Sequence, residues 1–212
     1  SDKFYRVYNL KCDADWLTLV QKKTYIRNNQ TATVNVKIDK SKVKEPGMYT
    51  AKITAYRDDA SKTPEFDMIA TVVIPYEINL SNNYRMNWKD QTINQGMIKR
   101  YFVKVPAGQN SMKITLSRDA SSNKYSRCRY FLSNNDGVQI DGSNVLYSVN
   151  KDEKIQNYYY DLEPGIYEID IDGFFLASDP STYNLSVEFL SLQVIEAKEV
   201  SSNDKRIEII NY

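Results

Sequence analysis

Acids, thiols and phenols are the side chains here that could do chemistry, because the chain holds no histidine. Histidine is the usual general base, the usual activator of serine and cysteine nucleophiles, and the commonest zinc ligand. Its absence excludes Ser-His-Asp and Cys-His catalysis within these 212 residues. A Ser-Lys or two-carboxylate enzyme is left open, but no motif points to one. Cys12 and Cys128 stand far apart and read as two buried free thiols, not as a disulfide framework. They cannot make a zinc site without carboxylate help. Asp170 and Asp172 alternate with Ile169 and Ile171, and Asp141 and Asp161 lie nearby in sequence. Calcium needs several oxygens converging from loops, whereas this alternation reads more simply as the solvated side of a strand. The sequence therefore points to no metal and no cofactor.

Tyr158, Tyr159 and Tyr160, with Phe174 and Phe175, are the densest aromatic concentration in a chain of 17 tyrosines. Alternation can bury only part of each run, so some rings should face solvent. Exposed tyrosines suit contacts with sibling domains or subunits. Ordinary packing is the first reading for these rings, contact with sibling domains or subunits the second, and stacking on a carbohydrate the third. Trp16, beside alternating apolar residues, reads as core; a sugar platform would require it to be exposed.

The elements that position these groups are strands. The segment Glu-Pro-Gly-x-Tyr occurs at Glu45–Tyr49 and Glu163–Tyr167, each time opening an alternating run. Pro46 and Pro164 fix φ, and Gly47 and Gly165 are expected to supply the positive φ of a type II turn. Pro106 and Gly108 mark another turn, and Asn134-Asn135-Asp136-Gly137 a hairpin. Val34, Val36 and Ile38 share one face of a predicted strand, as do Met112, Ile114 and Leu116, and Tyr183 to Phe189 alternate in the same way. No segment keeps a helical apolar period over three turns. Antiparallel β-sandwiches with little helix follow: all-β, in two consecutive modules. The expected modules are 1–78 and 79–191, with 192–212 as extra strands or the start of a third.

Lysine and arginine number 28 against 27 acids, so the net charge of +1 gives no footprint for nucleic acid. No apolar run approaches the roughly 18 residues of a membrane span. The chain opens at Ser1 inside a β pattern and reads as a piece of a longer protein. Asn29, Asn79 and Asn184 stand in glycosylation sequons, which would favour secretion if used.

The stretch from Gly96 to Gly108, with its Tyr101-Phe102 pair and Val105-Pro106-Ala107-Gly108 turn, resembles the pre-peptidase C-terminal module of secreted proteases. Together with the strand at Phe66 to Pro75 and the Pro46 to Ile53 segment, it also resembles the region downstream of the catalytic domain in tripeptidyl peptidase II-like subtilisin-family proteases. That resemblance implies an immunoglobulin- or fibronectin-like sandwich followed by a jelly-roll-like one. It further implies a non-catalytic structural and assembly fragment, whose partners are the parent's catalytic domain and sibling subunits, in the cytoplasm. None of the family's catalytic residues can be placed on this chain. A secreted carbohydrate-binding or adhesin-like pair of sandwiches is the alternative.

Overall fold

The structure, a computed structural model, describes residues 4–28, 30–59, 63–118, 126–147 and 153–191. The chain divides into two units, Ser1–Ile74 and Pro75–Tyr212, each with its own apolar core. Antiparallel strands build both, and a single 3-10 turn at Leu80–Asn82 is the sole helical element among the described residues. The segment 192–212, expected to hold extra strands or the start of a third module, lies outside the described residues.

In the first unit β1 (Tyr5–Cys12), β3 (Lys23–Arg27), β5 (Gly47–Arg57) and β6 (Pro64–Ile74) form a sheet in the order β3-β1-β5-β6. The strand β2 (Leu17–Leu19) pairs separately with β4 (Val36–Ile38). The four-stranded sheet is antiparallel throughout, with β1 and β5 at its centre. Alternate residues Tyr8 and Leu10 of β1, and Ala51, Ile53 and Ala55 of β5, face the core. Trp16 joins them at 7 % exposure and meets the Tyr49 ring edge-on at 6.3 Å. It is a core residue, which overturns the sugar-platform reading for this tryptophan.

One expected inward face does not form. Of Val34, Val36 and Ile38 only Val34 packs on the core, while Val36 and Ile38 are 38 % and 44 % exposed. Leu17 and Ile38 are register partners and share a face, but Leu17 alone is buried, so the three-residue β4 overhangs the core margin.

The second unit holds β7 (Arg85–Ile93), β8 (Ile98–Lys104), β9 (Ser111–Arg118), β10 (Arg127–Ser133), β11 (Gln139–Gly142), β12 (Leu146–Tyr147), β13 (Glu153–Tyr159), β14 (Ile166–Gly173) and β15 (Ser181–Leu190). One sheet runs β13-β9-β15-β7, and the other β11-β10-β14-β8 with β12 beside β10. Apart from β10, β11 and β12, which stay in one sheet, successive strands switch sheets, the interleaved order of a jelly roll. Period-2 patterning makes this work. Met112, Ile114 and Leu116 meet Tyr183, Leu185, Val187 and Phe189 on one inner face. Tyr101, Val103, Cys128, Tyr130, Leu132, Tyr167, Ile169 and Ile171 line the other. At the centre the Tyr101 and Tyr183 hydroxyls hydrogen-bond at 2.9 Å.

The turns correct one expectation. Type II geometry sits at Pro106–Gln109, where Gly108 has φ 81° and the Gln109 N–H donates to the Pro106 carbonyl at 3.1 Å. Gly47 instead has φ 151°, and Gly165 has no positive φ at all. Gly165 is required for a different reason: a Cβ there would lie 2.6 Å from the Cβ of Asn135, in the hairpin turn. What the two Glu-Pro-Gly-x-Tyr copies share is the tyrosine. Tyr49 donates its hydroxyl to the Glu45 carbonyl at 3.0 Å, and the Tyr167 hydroxyl hydrogen-bonds the Glu163 main chain. Each ties the start of a strand to the turn before it, as the tyrosine corner of immunoglobulin-type folds does.

Candidate functional site

Strand β13 splits the tyrosine run by alternation. Tyr158 and Tyr160 point outward, 45 % and 58 % exposed, with rings stacked at 6.4 Å and only 6° apart. Tyr159 turns inward, where its hydroxyl donates to Asp141 at 2.7 Å and lies 2.7 Å from the Tyr130 hydroxyl. Burial, reinforced by those two hydrogen bonds, pushes the Tyr159 phenol above its ordinary range. Phe174 lies under the guanidinium groups of Arg127 and Arg129, 5.9 and 5.5 Å from its ring. Phe175 and Leu176, beside it, are 70 % and 61 % exposed. The structure does not gather these aromatics. Tyr159 pairs with Met112 at one end of β9, whereas Phe174 follows Gly173, the partner of Cys128 near the other end of the sandwich.

The acids of β14 are likewise divided among partners. Arg100 of β8 lies 3.2 Å from Glu168 and 3.7 Å from Asp170, and Arg129 of β10 donates to Asp172 at 3.0 Å. No group of three or more acids or thiols capable of holding a metal occurs among the described residues. Burial, then the Asp170 carboxylate two residues on, pushes the Glu168 carboxyl up, and Arg100 offsets only part of this. A raised carboxyl binds its proton more tightly folded than unfolded, so it favours the fold at low pH and that advantage is lost as pH rises from the ordinary 4.5 through the folded value. Urea titrations of the parent and Glu168→Gln should therefore show the parent gaining on the variant as pH falls from 7 to 5. A difference independent of pH, or one growing toward alkaline pH, would contradict this assignment.

Both cysteines are free. Cys128 is fully buried, and burial pushes its thiol up to about 12, so it is inert at neutral pH. Cys12, expected to be buried, is only half-buried, with its sulfur hydrogen-bonded to the Ala14 main chain.

A concavity of the second unit lies on the outer face of the β13-β9-β15-β7 sheet. Register aligns its outward residues in rows across four strands. Gln156, Thr115, Ser186 and Asn87 form one row, and Lys154 with Ser117 and Asn184 the next. Tyr158, Lys113, Glu188 and Arg85 form a third row, in which Lys113 and Glu188 are ion-paired. Where β7 meets Asn184 the ladder slips, and the two residues Lys89 and Asp90 oppose one. Asp90 adopts φ 51°, and its N–H donates to the Asn184 side-chain oxygen at 2.8 Å. This β-bulge leaves both Lys89 and Asp90 exposed at the rim of a groove of about 500 Å³.

No family model matches the chain. Pyrolysin of Pyrococcus furiosus is 30 % identical to it over 109 residues, which make up 50 % of this chain and 8 % of pyrolysin. The crystal structure of tripeptidyl peptidase 2 (TPP II) aligns with a TM-score of 0.68 at 16 % identity, over 89 % of this chain and 16 % of that one. The fold is shared. The secreted serine protease VesC from Vibrio cholerae aligns at a TM-score of 0.39 and 7 % identity, over 89 % of this chain and 43 % of that one. The chain thus spans a small fraction of the length of pyrolysin and of tripeptidyl peptidase 2.

Sequence reasoning named Tyr158 to Tyr160 but missed the groove beside Tyr158. Arg85, Thr115, Lys154 and Ser186 sit on four different strands, and only their register brings them to one face. The one local signal was Asn184, an amide within a strand, which fixes the bulge.

Proposed function

We propose that this chain is a non-catalytic accessory region of a subtilisin-like serine peptidase of the tripeptidyl peptidase II type, which positions the catalytic domain and makes domain or subunit contacts. The observation that carries the reading is the TM-score of 0.68 to tripeptidyl peptidase 2 across 89 % of the chain. The 30 % identity to pyrolysin over half of the chain supports a peptidase parent. The residues agree with a supporting role, because the chain has no histidine and its described carboxylates on β14 face arginines. Its partners on this reading are the parent's catalytic domain and sibling subunits, and its compartment the cytoplasm. No helix among the described residues is long and apolar enough to cross a membrane. Phe175 and Leu176, adjacent and largely exposed, are the surface this reading assigns to such contacts.

The test starts from the gene product that carries these 212 residues, purified from its source. Labelling with a fluorophosphonate probe, and release of a fluorophore from a tripeptidyl substrate with a free N-terminus, should both occur in that product. Residues 1–191 alone should do neither. A gene product without a reactive serine would sink the peptidase reading. Phe175→Ser should shift the assembly to smaller species in sedimentation, and an unchanged distribution would remove that surface from the proposal.

A further inference from the structure

We infer that the outer groove of the β13-β9-β15-β7 sheet is a binding site for a short oligosaccharide carrying carboxylate or sulfate groups. The site is independent of the peptidase reading, since any parent protein could carry it. Three features select the ligand class.

The floor comes first. Strands β9 and β15 are interior to the sheet and paired on both sides, so their main-chain donors and acceptors are consumed by the ladders. An extended peptide, which is captured through exposed strand-edge main chain, finds none here. What remains are hydroxyls and amides: Thr115, Ser117, Ser186, Asn87 and Asn184, with Gln156 in the adjoining row, its NH₂ donating to the Tyr158 hydroxyl at 2.6 Å and its oxygen left to accept. Each hydroxyl both donates and accepts, which is the complement of a polyol. The Asn184 oxygen is occupied by the Asp90 N–H, so its NH₂ is left to donate.

Charge comes second. Arg85, Lys89 and Lys154 line the groove against the single carboxylate of Asp90. None of the three cations makes an ion pair among the described residues, although Arg85 donates to Ser186 at 3.3 Å. Lys113, by contrast, is already held by Glu188. A cationic rim around a hydroxyl floor fits oxyanions mounted on a sugar. The chain's net charge of +1 provides no long-range attraction that would draw nucleic acid to the same place.

The third feature is the boundary. Tyr158 lies on the same strand and face as Lys154, four residues or about 13 Å away. Its ring, stacked on Tyr160, forms an exposed aromatic wall at the end of the rows. Two parallel phenol rings suit the apolar face of a sugar ring. The bulge at Lys89 and Asp90 brings both side chains to the opposite rim, the kind of re-aiming that bulges achieve beside functional sites.

The test titrates the full 212-residue chain, labelled with ¹⁵N, with tetragalacturonate, a sulfated tetrasaccharide, neutral cellotetraose and hexaglutamate. Binding of either anionic saccharide, with shifts at the Asn87, Asn184 and Gln156 side-chain amides, supports the site and names the anion it takes. Lys154→Ala and Arg85→Ala should each weaken that binding about ten-fold or more, and added salt should weaken it further. Both substitutions are at solvent-facing positions, and an unchanged melting curve shows that the fold is intact. Equal binding of cellotetraose overturns the charge argument, and equal binding of hexaglutamate overturns the saccharide. No anionic-saccharide binding at millimolar concentration, or shifts confined to other faces, overturns the site.

Discussion

Replacing Tyr101 with alanine is expected to lower the stability of the second unit by about 4 kcal/mol, within the range for emptying a large aromatic site. The ring is fully buried between the two jelly-roll sheets and packs on Trp88 at 4.8 Å and Tyr76 at 6.1 Å. Its hydroxyl meets that of Tyr183 at 2.9 Å, and burial pushes the Tyr101 phenol up to about 12. The cost divides into two parts that separate variants can resolve. Tyr101→Phe keeps the packing and strands the Tyr183 hydroxyl in a dry interior, at about 1–2 kcal/mol. Tyr101→Phe with Tyr183→Phe removes both hydroxyls and should recover most of that loss, because no buried polar group is then left alone. Urea unfolding followed by tryptophan fluorescence reads all three, and Tyr101→Ala should melt about 12 °C below the parent. An alanine variant within 1 kcal/mol of the parent would refute the central placement of this ring. A double phenylalanine variant no better than the sum of the single losses would refute the hydroxyl pair.

Gly173→Ala is the second large effect, at about 3 kcal/mol. The last residue of β14 carries no Cβ because one would lie 2.1 Å from the Asn94 carbonyl oxygen. That carbonyl cannot easily retreat. It accepts from the Met97 N–H at 3.2 Å, while the Gly96 N–H donates to the Gly173 carbonyl at 2.6 Å and the Gly173 N–H to the Met97 carbonyl at 3.0 Å. Adding a methyl must break this exchange or displace the β7–β8 turn, the top of the range for overpacking a tight site. Gly165→Ala is the informative control. Its Cβ would lie 2.6 Å from the Cβ of Asn135, which side-chain rotation cannot move, but Asn135 sits in an exposed hairpin turn whose backbone can shift, so a smaller loss of about 1–2 kcal/mol is expected. Denaturant midpoints that rank the two variants in the reverse order would show that the β7–β8 turn yields more readily than the hairpin.

Most of the second unit was legible, because most of its strands alternate cleanly, β8 with its buried Tyr101-Phe102-Val103 run being an exception. Met112, Ile114 and Leu116, or Tyr183 to Phe189, state their inner face residue by residue, and burial follows it without exception. The same rule separates Tyr159 from Tyr158 and Tyr160. It fails at Val36 and Ile38, since a period says which residues share a face but not whether a core lies beneath it. It also misassigned the second Glu-Pro-Gly turn. Whether Gly165 serves a positive φ or a close neighbour depends on Asn135, thirty residues earlier in the chain, and local turn rules carry no such information. The groove was invisible for the same reason, being a product of register among four strands and a two-for-one slip at Lys89 and Asp90.

The place of β15 sets the order in which this protein can be made. It lies between β9 and β7, and its Ser186 receives the Arg85 guanidinium from 101 residues earlier. Until that strand leaves the ribosome, β7 has no partner in its sheet among the described strands, and β9 pairs there only with β13. The first unit can close on its own contacts during synthesis, while the second waits with two unpaired strand edges. Long-range pairing of this kind folds slowly, and bare edges recruit neighbouring chains. A polypeptide ending before Ser181 would therefore emerge as an aggregation-prone half sandwich rather than a smaller folded domain.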